Sequence, residues 1–278
     1  MGLELRDVSF QYPNAETIEP ALCKVSFSIP PSSLVVIVGE NGSGKSSLIN
    51  ILAGLYEPTS GEILIDGLPA RYYRRADLQA SISLLAQNHN IFNLSLAETI
   101  GIGDPDSVND MKRIEEAARL GGAYELAQRY NAGFDEVLQP VITAFSSDHP
   151  GHDHQLRELL DDVERQKDVS GGEKQRISAS RTFMRLMSGK INFVVVDEPT
   201  SAMDPLGEFE LFKKLRSARA GKTMVFVTHR FGHLTKYADL ILCMKSGRLI
   251  EKGTHQELME RNGEYRRLYD IQASAFCN

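Results

Sequence analysis

Residues Leu34–Val38 form an unbroken apolar run, and shorter runs recur at Phe193–Val196 and Met224–Val227. Runs of this length without polar alternation are the pattern of strands covered on both faces. Two earlier segments, Leu3–Phe10 and Cys23–Ile29, alternate loosely between apolar and polar positions. With breaks at Pro13 and Pro30–Pro31, they predict two antiparallel strands ahead of the first run. Glu62–Gly67 predicts a further short strand with its turn. From Ser107 to Arg129 the apolar spacing is helical, through Met111, Ile114, Ala118 and Leu120. Helices are also expected at Glu173–Met187 and Leu206–Arg219. Strands alternating with helices predict an α/β fold with a parallel sheet.

Between the first apolar run and the helical start Ser47–Leu52 stands Gly39-Glu40-Asn41-Gly42-Ser43-Gly44-Lys45-Ser46, a complete Gly-x4-Gly-Lys-Ser loop. Strand, glycine loop and helix in that order are the context in which this motif binds phosphate. The glycines let successive amides point inward, and the following helix adds the positive end of its dipole. Lys45 supplies a mobile charge and Ser46 a hydroxyl for Mg²⁺. Gly39, Asn41, Gly42, Ser43, Gly44, Lys45, Ser46 and Ser47 are therefore candidates for binding a nucleoside triphosphate.

Composition narrows the partners. The 278 residues carry a formal charge of −6, which argues against a nucleic-acid-binding surface while leaving room for a local site for triphosphate. The apolar runs fall far short of the roughly 20 residues a membrane helix needs. Cys23, Cys243 and Cys277 are widely spaced and odd in number, and suit a reducing compartment rather than a disulfide framework or zinc site. Arg6 stands where a myristoylation signal needs Ser or Thr, and neither a lipid anchor nor a secretory leader is expected.

A second glycine motif opens the helix at Glu173. Ser170 and Glu173 have the spacing of a capping box, and Gly171 and Gly172 between them leave the first amides uncovered by side chains. Ser170-Gly171-Gly172-Glu173-Lys174-Gln175-Arg176 is similar to the signature of the ATP-binding cassette (ABC) ATPases, and Gly39–Ser46 resembles their phosphate loop. The likeness runs almost from end to end. It implies a P-loop NTPase with a RecA-like parallel sheet core, an N-terminal antiparallel β-subdomain and an inserted α-helical subdomain. One ABC domain over 1–278 is expected, with 1–86 and 190–278 as catalytic core and 87–189 as helical subdomain. The latter carries the signature and an acidic, His-containing insertion at about 138–162.

The resemblance also implies a mechanism. In the family, the signature helix of one cassette points at the γ-phosphate held by the phosphate loop of another, so that two ATP molecules are sandwiched in a head-to-tail dimer. Ser170, Gly171 and Gly172 are then ATP-binding residues for the partner's nucleotide. The strand Phe193–Val196 runs into two carboxylates, Asp197 and Glu198, at the sheet edge where ligands bind. Asp197 is expected to face Mg²⁺, with Ser46 and Gln87, and Glu198 to polarise the attacking water. Gln87 fits the glutamine that joins the two lobes, and His229 the switch histidine that contacts the γ-phosphate. With Lys45, these make the catalytic set. Tyr12 fits the aromatic residue that stacks on adenine; packing on an edge strand is its alternative role. Met203, in Ser201–Asp204, replaces the more usual leucine of the family's dimer-crossing loop, and Ser47 stands where threonine is more usual.

Asn90–Ile100, Gly247–Leu258 and Glu264–Tyr269 look like exporter-type cassettes. Glu164-Arg165 resembles the exporter pair implicated in sensing the transmembrane partner. The expected partners are a second nucleotide-binding domain and a transmembrane domain, placing the chain at the cytosolic face of a membrane. The tract between about Leu138 and Asp162 is longer than exporters usually have. Its His149, His152 and His154 with Asp148 and Asp153 could hold a divalent metal, or form a solvated loop. The alternative function is a soluble regulatory or scaffolding ABC ATPase without transport.

Overall fold

A computed structural model of the chain describes residues 1–13, 19–87, 89–138, 169–197, 205–228 and 234–275. The elements in chain order are β1 (Leu3–Phe10), β2 (Leu22–Ile29), β3 (Leu34–Gly39), α1 (Lys45–Leu52), β4 (Ser60–Ile65), β5 (Leu68–Pro69), α2 (Arg75–Ala80) and β6 (Ile82–Leu85). Then come α3 (Leu96–Gly101), α4 (Met111–Gly121), α5 (Tyr124–Arg129), α6 (Gly171–Met187), β7 (Phe193–Asp197) and α7 (Pro205–Ser217). The chain closes with β8 (Thr223–Val227), β9 (Leu240–Lys245), β10 (Arg248–Gly253), α8 (His255–Arg261) and α9 (Glu264–Ala275). Two compact units result, one of Met1–Gln87, Gly189–Ser201 and Pro205–Asn278, the other of Asn88–Ser188 and Ala202–Asp204.

The first unit holds both sheets. A four-stranded antiparallel sheet runs β2-β1-β4-β5. The loose alternation of its first strands has a local cause. Asp7 in β1 and Lys24 in β2 take φ +48° and +47°, and the register shifts between Leu5 and Val8 and again between Val8 and Phe10. These irregularities shift the side-chain phase, so that Leu3, Leu5, Val8 and Phe10 all reach the core although their spacing is uneven.

The second sheet runs β10-β9-β3-β8-β7-β6. β3 lies inside it, parallel to β8 on one side and β9 on the other, with all six residues buried. This double cover explains the unbroken apolar run. The pairings of β3, β8, β7 and β6 are parallel as expected, but β10 adds an antiparallel edge. It returns from β9 through Ser246 and Gly247 at φ +47° and +71°, the two positive values that a tight hairpin turn requires.

In the second unit, the helical stretch expected over Ser107–Arg129 is divided. Asp110 caps the start of α4 by accepting from the Arg113 amide at 3.3 Å. Gly122 ends it in the left-handed region at φ +84°, and α5 starts afresh. Periodicity alone misses this break because the apolar spacing continues across it. α4 packs closely on α6, where a Cβ on Gly121 would lie 2.2 Å from the Ser180 amide nitrogen. Asp104, 4% exposed, is paired with Arg113 at 3.1 Å. Among the described residues, no helix is long and apolar enough to cross a membrane.

Candidate nucleotide-binding site

The loop between β3 and α1 is tightly wound. Gly39 leaves the strand at φ +153°, where a Cβ would stand 2.3 Å from the Met244 carbonyl and 2.6 Å from Ser43 Oγ. Gly44, at φ +98°, would bring a Cβ within 2.8 Å of the Ala21 carbonyl. Only glycine fits either place. The Ser43 amide donates to the Glu40 carbonyl at 3.2 Å, closing the turn. From outside, the Gly247 amide donates to the Ser43 carbonyl at 3.0 Å, and the Cys23 amide to the Gly247 carbonyl at 2.8 Å.

Lys45, 5% exposed, folds back over this turn and donates through Nζ to the carbonyls of Gly39 at 3.0 Å and Glu40 at 2.9 Å. Its helix, α1, starts on Gly44 with no side-chain cap and no acidic residue in the first turn. Its positive end is thus left for an outside anion. It borders a cavity of about 600 Å³ lined by Ala21, Asn41, Gly42, Gly44, Lys45, Ser46, Ser47 and Gln87. That volume lies within the range of small-molecule sites, roughly 300–1,000 Å³. Ser43 Oγ is buried without a hydrogen-bond partner beside it.

Asp197 ends β7 level with Val227 of β8, which sits two places beyond the Val225 that faces Val35 of β3. Its carboxylate therefore belongs to the sheet edge from which the phosphate loop departs, and it is 9% exposed. Gln87 follows β6 at the same edge. Ser46, Gln87 and Asp197 offer oxygen donors only, and no cluster of three or more His, Cys, Asp or Glu exists among the described residues. One carboxylate with neutral oxygens suits Mg²⁺, which takes most of its remaining ligands from water and phosphate.

Tyr12 stands outside the cavity lining. Its ring meets Phe10 edge-on at 4.7 Å and Tyr56 at 5.3 Å, while its hydroxyl lies 3.2 Å from Ser47 Oγ and accepts from Asn50 Nδ2 at 3.2 Å. In the second unit, Ser170 caps α6. Its hydroxyl accepts the Glu173 amide at 3.3 Å, and the Glu173 carboxylate accepts the Ser170 amide at 2.9 Å. Burial acts to raise the Glu173 carboxyl, but Ser170 and Arg129, 2.9 Å away, outweigh it and hold the group below its ordinary range. Gly171 and Gly172 form the first turn of the helix. Glu198, His229, the Ser201–Asp204 loop, Glu164-Arg165 and the His-containing insertion lie outside the described residues.

Sequence reasoning missed the outer brace of the loop, namely Ala21, Gly247 and the hairpin that carries it. Only the Ser-Gly pair of that turn was a signal, and it says nothing about which loop it touches.

Residues 22–201 match the family described as ABC transporter. The chain is 34% identical over 265 residues to the ATP-dependent lipid A-core flippase of Sodalis glossinidius, covering 95% of this chain and 40% of that protein. It is 32% identical over 277 residues to the lipid A-core flippase of Pseudomonas aeruginosa, covering 98% and 41%. It thus spans about two fifths of the length of these relatives. A bacterial Atm1-family ABC exporter solved with ATP bound superposes with a TM-score of 0.80 at 26% identity, over 98% of this chain and 42% of that one. Phosphate loop, sheet order and family match agree: the chain belongs to the ABC transporter family, as a nucleotide-binding domain of the exporter type.

Proposed function

We propose that the chain binds MgATP on the phosphate loop, hydrolyses it in a head-to-tail pair with a second nucleotide-binding domain, and so powers export through a transmembrane domain. The observation that carries this reading is the uncapped, positive start of α1 opening on the cavity that Lys45, Ser46 and Gln87 share. The amides of Gly39, Asn41, Gly42, Ser43 and Gly44 with Lys45, Ser46 and Ser47 hold the phosphates. Tyr12, half-buried beside Phe10 and Tyr56, supplies the adenine platform.

Ser46, Gln87 and Asp197 would hold Mg²⁺, which would supply positive charge against the phosphates. Glu198 orients and deprotonates the attacking water, and His229 contacts the γ-phosphate. Ser170, Gly171 and Gly172 serve the nucleotide of the partner domain: the capping box consumes the Ser170 and Glu173 amides and leaves the amides of the two glycines for an anion. A site so divided is completed only by pairing. The relatives of more than twice this length support a transmembrane partner, and with it a place at the cytosolic face of a membrane.

The test is Glu198→Gln. It is expected to keep MgATP binding, to slow turnover at least about a hundredfold, and to accumulate dimers in ATP on size-exclusion chromatography. Wild-type turnover in that variant would remove Glu198 from the mechanism.

A further inference from the structure

The C-terminal helix α9 reaches the phosphate loop. Arg267 donates to the Glu40 carboxylate through Nη2. The same guanidinium grips Glu264 with two bonds, Nη2 to Oε1 at 2.6 Å and Nε to Oε2 at 3.0 Å. Lys245, at the end of β9, donates to Glu264 Oε1 at 3.1 Å. Lys245, Glu264, Arg267 and Glu40 thus form a row of alternating charges that ends on the loop.

Glu40 is no ordinary surface acid. Its main-chain carbonyl accepts from Lys45 Nζ and from the Ser43 amide, so its backbone is part of the turn that seats Lys45. Its carboxylate is a negative charge on the loop whose task is to hold a polyanion. Left alone, that charge lowers the local potential by an amount felt at short range even near the surface. Arg267 both cancels the charge and fixes the side chain, and Glu264 in turn fixes Arg267.

We infer that Arg267 is a positioning residue for the phosphate loop, acting through Glu40 to keep the loop shaped and electrostatically receptive for the triphosphate of MgATP. The inference rests on the nucleotide-binding reading of that loop. An exposed ion pair of this kind adds little to folding stability. Its effect falls on affinity, because a bound polyanion reads the local charge directly.

The experiment is a double-mutant cycle on the 278-residue chain, with MgATP affinity measured by isothermal titration calorimetry and KM and kcat by phosphate release. Arg267→Ala is expected to raise Kd and KM about three- to tenfold with kcat at saturation little changed. Arg267→Lys, which keeps the cation but loses the two-pronged grip on Glu264, is expected to fall between wild type and Arg267→Ala. In a Glu40→Gln background, Arg267→Ala costs less than about twofold, because the charge it balanced is gone. An equal loss in both backgrounds, as a purely structural role for α9 would give, overturns the inference, and so does unchanged affinity in Arg267→Ala. Those results leave nucleotide binding standing. A wild-type chain that binds no MgATP removes the nucleotide-binding reading itself, and the inference falls with it.

Discussion

The Lys45 ammonium donates to the Gly39 carbonyl across 3.0 Å, so the cation of the phosphate loop is held by the loop's own first residue. Lys45→Ala removes that charge and takes the Nζ donor away from the Gly39 and Glu40 carbonyls, of which Glu40 keeps the Ser43 amide. A buried acceptor left unpaired costs about 1–3 kcal/mol. The expected outcome is a modest fall in melting temperature together with at least a tenfold loss of MgATP affinity by calorimetry. Affinity equal to wild type would show that the loop does not bind phosphate.

Ser170 has a local duty, capping α6, and a proposed remote one on the partner's nucleotide. Ser170→Ala and Ser170→Arg lose the same cap, worth about 1 kcal/mol, and both are expected to melt slightly earlier than wild type. Only Arg adds bulk at the helix start. Steady-state ATPase assays at matched protein concentration should find Ser170→Arg at least tenfold slower than Ser170→Ala. Equal rates would confine Ser170 to capping.

Gly121 lies so close to α6 that a Cβ meets the Ser180 amide nitrogen at 2.2 Å and its Cα at 2.4 Å. Gly121→Ala gains about 1 kcal/mol of helix propensity. Overpacking against a backbone outweighs that gain and displaces α4 from α6, for a net loss of about 1–3 kcal/mol. Denaturant melts read it, and a stabilised variant would mean that the helices separate freely.

Arg267, opposed by partial burial and aided by Lys245, holds the Glu264 carboxyl at about 2, against an ordinary value of 4.5. Because the folded value is the lower one, the unfolded chain takes up this proton first. The stabilisation is complete above the ordinary value and is lost as pH falls from there towards 2. Urea melts across that range should therefore show a component of acid sensitivity that Glu264→Gln lacks. The same slope in both proteins would place the acid sensitivity on other carboxylates.

Much of the architecture was legible because its signals are local. The apolar run of β3, the glycine loop and the first residues of α1 lie within twenty positions and dictate one another. The Ser170–Glu173 cap needs only four residues to be read, and the structure forms both of its reciprocal bonds. β6, at four residues, and the β9–β10 hairpin, whose outer strand alternates between exposed and half-buried positions, were not read as elements. The helix break at Gly122 was hidden because glycine ends a helix by its φ, which periodicity does not register. The environment of Tyr12 was equally out of reach. Phe10 is two places away in the chain, but Asn50 and Tyr56 reach Tyr12 only through the fold, and nothing in their spacing announces that meeting.

The pairing of β3 with β8 and β9 alone has a consequence for how the chain is made. A ribosome delivers the strand and its glycine loop well ahead of their partners, since both neighbours of that strand come from residues 223–245 and the amide that braces Ser43 comes from Gly247. Nascent polypeptide ending between the glycine loop and β8 carries that whole loop while β3 still lacks both of its neighbours. Such long closures are slow to form. The proposed nucleotide seat is thus finished only once Gly247 has emerged, and a chain cut short of that residue keeps the glycine loop without its brace.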